Sequence, residues 1–192
     1  MPDIAQPSER RDGIVRAAIG VFLRFGPRKT SMDDVARAAN ISRQGLYLHF
    51  KTKDALFRAV VAQMLDHLRS TTWQALGRDD HSVEERLAEA FEAFHGVTVE
   101  IVDRQTYAEM LQAAKAFAAD PMSQLEQDLI TDVATLLKHS GHAKAWEAAG
   151  VSAADVAQHL FDASAGAKYE SASLDEYRRR LRVSVRVVTR QY

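Results

Sequence analysis

Ser42, Arg43, Gln44, Tyr47 and His49 fall within eight residues, and Lys51, Thr52 and Lys53 follow directly. Such a run can serve catalysis or the reading of another polymer. Arginine can pair bidentately with guanine and glutamine with adenine, each worth about 1–3 kcal/mol of discrimination. Tyrosine, serine, threonine and lysine more often hold the phosphate backbone. A catalytic reading needs a nucleophile, a metal set or a tuned acid–base pair at workable spacing, and the chain offers none. With no cysteine among its 192 residues, it has no disulfide, thiolate ligand or thiol nucleophile. No catalytic residue, cofactor or metal site is expected, and an all-helical enzyme is the reading set aside.

The polar side chains alternate with apolar ones that can anchor them. Val35, Ala36, Ala39, Ile41, Leu46 and Phe50 can share a small core with Ile19 and Phe22. The elements follow from periodicity and caps. Apolar residues from Ile14 to Phe25 recur at helical spacing, and Gly26-Pro27 stops that helix. Ser31-x-x-Asp34 opens a short second helix to about Ala39. Asn40 suits the left-handed turn. Ser42 caps a third helix, about Arg43 to His49, and a fourth runs on from about Thr52. Gly45 lets the third helix approach a groove closely. Thr30, Ser31, Lys51, Thr52 and Lys53 flank the unit where phosphates would run, and free amides at helix N-termini add anion affinity.

Further along, Ser82-x-x-Glu85, Ser152-x-x-Asp155 and Ser173-x-x-Glu176 read as helix starts. So does Asp120-Pro121, with Asp as N-cap and Pro in the first turn. The fold class is all-α: an N-terminal three-helix helix-turn-helix domain and a larger C-terminal helical domain, about nine helices in all. The domains are expected at residues 1–52, with 1–8 as an arm, and 53–192.

Charge supports a polyanionic partner. Residues 1–60 carry net +5 and residues 61–192 net −6, so a basic end sits on an acidic body. There is no run of 18 apolar residues and no signal-like leader, which makes the cytoplasm the expected compartment.

The stretch "TSMDDVARAANISRQGLYLHFKTKDALF", Thr30 to Phe57, preceded by "FLRFG", resembles the tetracycline-repressor (TetR) family of regulators. The resemblance covers about residues 10–60. Two positions depart from it: Asn40 stands where the family's turn usually has Gly, and Leu48 where it often has an aromatic residue. The resemblance implies a ligand-responsive repressor that binds a palindromic operator in double-stranded DNA as a homodimer. Its DNA-contacting set would include Ser42, Arg43, Gln44, Tyr47, His49 and Lys53. It also implies a small-molecule effector in the C-terminal domain and a dimer built by the last two helices. Pocket candidates are Phe91, Phe94, His95, Tyr107, Met110, Phe117 and Trp146, with Glu100, Asp103, Arg104 and Glu109 able to set ligand polarity. Aromatic and Met residues at helical spacing are usually plain core. Interface candidates are Val156, Leu160, Ala163 and Ala167 on one helix and Leu181, Val185 and Val188 on the other.

Three further readings bear on these residues. His139 and His142, with His95 or an acidic residue, could hold a metal, but a polar helix end is favoured. Arg178, Arg182, Arg186 and Arg190 recur every four residues, which suits a salt-bridged edge better than an anion site. A helix-turn-helix protein that organises DNA or binds a protein partner, with no ligand, is the alternative function.

Overall fold

The computed structural model describes residues 7–99 and 104–190. Among them the chain forms nine α-helices, one 3-10 turn and no strand. The helices are α1 (Pro7–Lys29), α2 (Met32–Ala38), α3 (Arg43–His49), α4 (Lys53–Leu76), α5 (Val83–His95), α6 (Arg104–His139), α7 (Ala143–Ala148), α8 (Ala153–Glu170) and α9 (Leu174–Thr189). The turn Gly96–Thr98 follows α5. The expected arm, residues 1–8, overlaps the start of α1 at Pro7, and residues 1–6 lie outside the described residues. So do Glu100 and Asp103.

Local chemistry sets most boundaries. Gly26 takes φ 74° with ψ 164° and breaks the helical path inside α1, in a region essentially closed to L side chains. Ser31, Ser82 and Ser152 each form a reciprocal capping box, with Asp34, Glu85 and Asp155. Ser173 accepts from the Glu176 amide. Asn40 is the one described non-glycine residue at positive φ, 52°.

The Asp120-Pro121 expectation is corrected: Pro121 lies inside α6, which runs 36 residues without a break. Met110, Ala114, Ala118, Leu125, Leu129, Val133 and Leu137 are all buried along one stripe of that helix. An interior proline costs about 3 kcal/mol. Each large side chain in such a stripe returns about 1.5–3 kcal/mol on burial, so the stripe carries the helix through. The short α7 was not expected from sequence.

The chain divides into two compact units: residues 1–66 with 102–120, and residues 67–101 with 121–192. This differs from a division after residue 52. Leu56, Phe57, Val60 and Val61 of α4, and Met110, Ala114 and Ala118 of α6, join the core of Ile14, Ala18, Phe22, Val35, Leu46 and Phe50. The first unit therefore takes the opening part of both long helices. In the second unit α5, α8 and α9 pack together over Leu87, Phe91, Leu160, Tyr177, Leu181 and Val185, all buried. No helix among the described residues is long and apolar enough to cross a membrane.

Candidate nucleic-acid interface

Helix α3 is seven residues long and is held from beneath. Leu46 is fully buried and Phe50, at its C-cap, nearly so. Tyr47 is half-buried against the same core. The Ser42 hydroxyl accepts from the Gly45 amide at 3.0 Å and starts the helix. A Cβ on Gly45 would stand 3.2 Å from Ser42 Oγ, so glycine keeps that cap intact. Ser42, Arg43, Gln44 and Leu48 are exposed, and His49 is half-buried.

The flanking residues divide into two kinds. Ser31, Lys51 and Thr52 are exposed, with Ser31 capping α2 and Thr52 Oγ1 accepting from the Ala55 amide at 3.0 Å. Thr30 and Lys53 are turned to the structure instead. Thr30 is 2% exposed, and its hydroxyl donates to the Gly26 carbonyl at 2.7 Å. The Lys53 ammonium donates to the carbonyls of Pro27, Arg28 and Thr30 at 2.8, 3.2 and 3.0 Å. All three of its N–H groups are thereby matched. In the free chain these two residues shape the turn between α1 and α2.

Electrostatics refine the picture. Arg43 Nη1 donates to Asp33 Oδ2 at 2.9 Å, and its guanidinium lies 5.7 Å from the Tyr47 ring centre. Sequence reasoning passed over Asp33, which is legible only as an acid in the first turn of α2. The Asp34 carboxyl is held below the usual carboxylate range by the Ser31 hydroxyl, then the Ser31 amide and Arg37. Arg10 and Arg11 are exposed on α1, and Arg11 covers the Phe50 ring at 4.7 Å. Arg10, Asn40, Ile41, Ser42, Gly45, Leu48 and His49 line a cleft of about 390 Å³. The result is a short helix with a polar, cation-flanked outer side on a packed base, which can enter a major groove.

The pocket candidates do not form one cluster. Met110 is buried and Phe117 half-buried with the first unit's core; Tyr107 is half-buried in the same unit. Phe91, Phe94 and His95 are buried in the second unit. There Phe94 and His95 pack edgewise with Phe161. Trp146 Nε1 donates to the Val188 carbonyl at 2.9 Å and ties α7 to the end of α9. Of the polarity candidates, Arg104 is exposed and Glu109 half-buried, both in the first unit. His95 Nδ1 meets Ser164 Oγ at 2.8 Å, and His142 Nδ1 meets Ser140 Oγ at 2.8 Å. His139 is exposed.

The interface candidates lie mostly inside the single chain. Val156, Leu160, Ala167, Leu181, Val185 and Val188 are buried within the single chain and Ala163 is half-buried. A helix has one apolar stripe for its own core, and here α8 and α9 use theirs on each other and on α5. The large apolar side chains left exposed on these helices are Tyr169, Val183 and Val187. The arginine row is an edge: Arg178 makes a two-pronged pair with Glu92 at 2.8 and 2.6 Å, and Arg186 pairs with Glu84 at 2.8 Å.

The sequence profile of the bacterial regulatory proteins, tetR family, matches residues 14–60. The HTH-type transcriptional activator FasR of Mycolicibacterium smegmatis is 40% identical over 86 residues, 45% of this chain and 39% of FasR. IcaR of Staphylococcus aureus, a negative transcriptional regulator of a biofilm operon, is 24% identical over 119 residues, 62% of each chain. The matched part thus spans less than two thirds of either relative. A solved TetR-like transcriptional regulator from Rhodococcus sp. RHA1 is 25% identical with TM-score 0.63, over 97% of this chain and 100% of that one. A TetR transcription regulator from Haloarcula marismortui shares the fold at 15% identity, TM-score 0.65, over 92% and 95%. Residues 14–60 thus carry the reading head of the bacterial regulatory proteins, tetR family, and the described helices share the fold of solved TetR-like regulators.

Proposed function

We propose that the chain is a ligand-responsive transcriptional repressor that binds a palindromic operator as a homodimer. The observation that carries this reading is the outer side of α3, where Ser42, Arg43 and Gln44 stand exposed above a buried Leu46. Arg43 and Gln44 read base edges. Ser31, Ser42, Tyr47, His49, Lys51 and Thr52 hold phosphates, while Thr30 and Lys53 position the turn beside them. Two such helices in a dimer enter successive major grooves about 34–36 Å apart. Repression is chosen over activation by analogy with IcaR, which is a negative regulator; FasR is an activator.

The homodimer uses the outer faces of α8 and α9. Asp155, Asp162 and Glu170 are exposed on α8, and Arg179 and Arg182 on α9 beside Val183 and Val187. A twofold axis sets α8 of one copy against α9 of the other, matching acid to base around an apolar centre. The effector binds the second unit near Phe91, Phe94 and His95. It releases DNA by favouring a dimer whose reading heads no longer fit the operator spacing, which requires different affinity for the two states.

The test is selection of bound sequences from random duplex DNA by the purified chain at near-physiological salt. A palindromic consensus supports the reading. Binding without any consensus favours a DNA-organising protein, a role that needs no effector and accords with the closed packing of Phe91 and Phe94. No binding by a folded chain overturns both.

A further inference from the structure

Leu48 is 73% exposed, while Leu46 two residues before it is fully buried. A leucine left in water on a packed unit holds burial energy in reserve for a partner. It stands one helical turn beyond Gln44, on the same side of α3, and both are exposed. With Ile41 and Gly45 it forms the apolar wall of the cleft that Arg10, Ser42 and His49 complete. The space beside Gly45 stays open because any Cβ there would crowd Ser42 Oγ. Arg10 lines the cleft itself, Arg11 lies over the Phe50 ring at the C-cap of α3, and Arg43 opens the helix that Lys51 follows, all four exposed. That setting favours a polyanion that also carries an apolar group.

Duplex DNA has one such group in the major groove. Base-pair edges there present donors and acceptors, and the thymine C5 methyl is the apolar exception. We propose that Leu48 is a specificity-determining residue that packs on a thymine C5 methyl next to the base pair read by Gln44. The inference rests on the reading of α3 as the recognition helix. Leu48 selects thymine over cytosine by burying the methyl group, with no hydrogen bond of its own.

The experiment uses the duplex recovered by selection with this chain. Each thymine is replaced in turn by 2′-deoxyuridine, which removes only the methyl group. Dissociation constants are measured for the unaltered chain and for Leu48→Ala, whose fold is checked by helical circular dichroism. The expected result is one thymine per half-site at which the methyl loss weakens the unaltered chain about fourfold, the transfer free energy of one such group. Leu48→Ala should show no loss at that thymine, and selection with it should show relaxed preference there. If every uridine substitution costs both proteins the same, Leu48 touches no methyl and the inference falls while the recognition-helix reading stands. Failure to recover any bound duplex would overturn that reading, and this inference with it.

Discussion

The Arg43 guanidinium at the start of α3 is held 2.9 Å from the Asp33 carboxylate of α2. Both side chains are more than half exposed, so the pair itself adds little to stability. Its consequence is for recognition. To read a base, Arg43 must leave Asp33, and Asp33 then faces the phosphates as an unpaired like charge. Asp33→Asn should therefore tighten operator binding severalfold without a comparable change in unfolding free energy. Arg43→Ala should cost about 1–3 kcal/mol of binding and relax preference at one base pair. Affinities of both variants on the selected operator and on variants at that pair decide the matter. Uniform weakening across all sequences by Arg43→Ala would remove it from base reading.

Lys53 makes a different claim. Its ammonium is engaged by the carbonyls of Pro27, Arg28 and Thr30, and a hydrogen bond from a charged group contributes about 1.5–3 kcal/mol at best. The residue is part-exposed, so the lower end applies. Lys53→Met should destabilise the first unit by about 1–2 kcal/mol in denaturant unfolding. The salt dependence of operator binding should keep its slope. A slope shallower by about one would instead identify Lys53 as a phosphate contact.

The reading head was legible in sequence because its signals are local. Ser31 with Asp34, Asn40 at the turn and Ser42 at the next cap lie within twelve residues, and each acts on its immediate neighbours. The carbonyl partners of Lys53 could not be read from sequence because they are 23 to 26 residues away, whereas a lysine near a recognition helix reads as a phosphate ligand from its local setting alone. Pro121 was read as a helix start because a proline signal is local while the buried stripe from Met110 to Leu137 is not. On α8 and α9 the apolar stripe was visible, but sequence cannot say whether a stripe faces its own chain or a second copy. The arginines and Val183 and Val187 on the opposite side were the better sign of an outward face.

That distinction gives a paired prediction. Val187→Asp places a charge at the centre of the proposed dimer face and should yield a folded monomer, seen by sedimentation, with operator affinity lost. Leu181→Ala removes a fully enclosed side chain and should cost about 2–5 kcal/mol of unfolding free energy, while the surviving folded protein remains dimeric. A dimer that tolerates Val187→Asp would move the interface elsewhere.

The last prediction concerns acid sensitivity. His95 Nδ1, Ser164 Oγ, Tyr177 OH and the Phe91 carbonyl follow one another at 2.8, 2.7 and 2.8 Å. Tyr177 donates to Phe91, so a consistent chain has Ser164 donating to Tyr177 and a neutral His95 donating through Nδ1 to Ser164. Burial, and then the charge of Lys168, push the His95 pKa down to about 3; burial raises that of the Tyr177 phenol. In the unfolded chain His95 returns to an ordinary value near 6.5. Between these two values the unfolded state binds a proton that the folded state refuses. The stabilisation is thus complete above about pH 6.5 and lost progressively as pH falls toward about 3. The slope is up to about 1.4 kcal/mol per pH unit. His95→Asn keeps a hydrogen-bonding group beside Ser164 but cannot titrate. Unfolding free energies between pH 7 and pH 4.5 should fall less steeply for this variant than for the unaltered chain. Carboxylates held below their usual range, such as Glu85 and Asp155 at their caps, contribute equally to both proteins and cancel in the difference. Parallel slopes would show that another group governs the acid response.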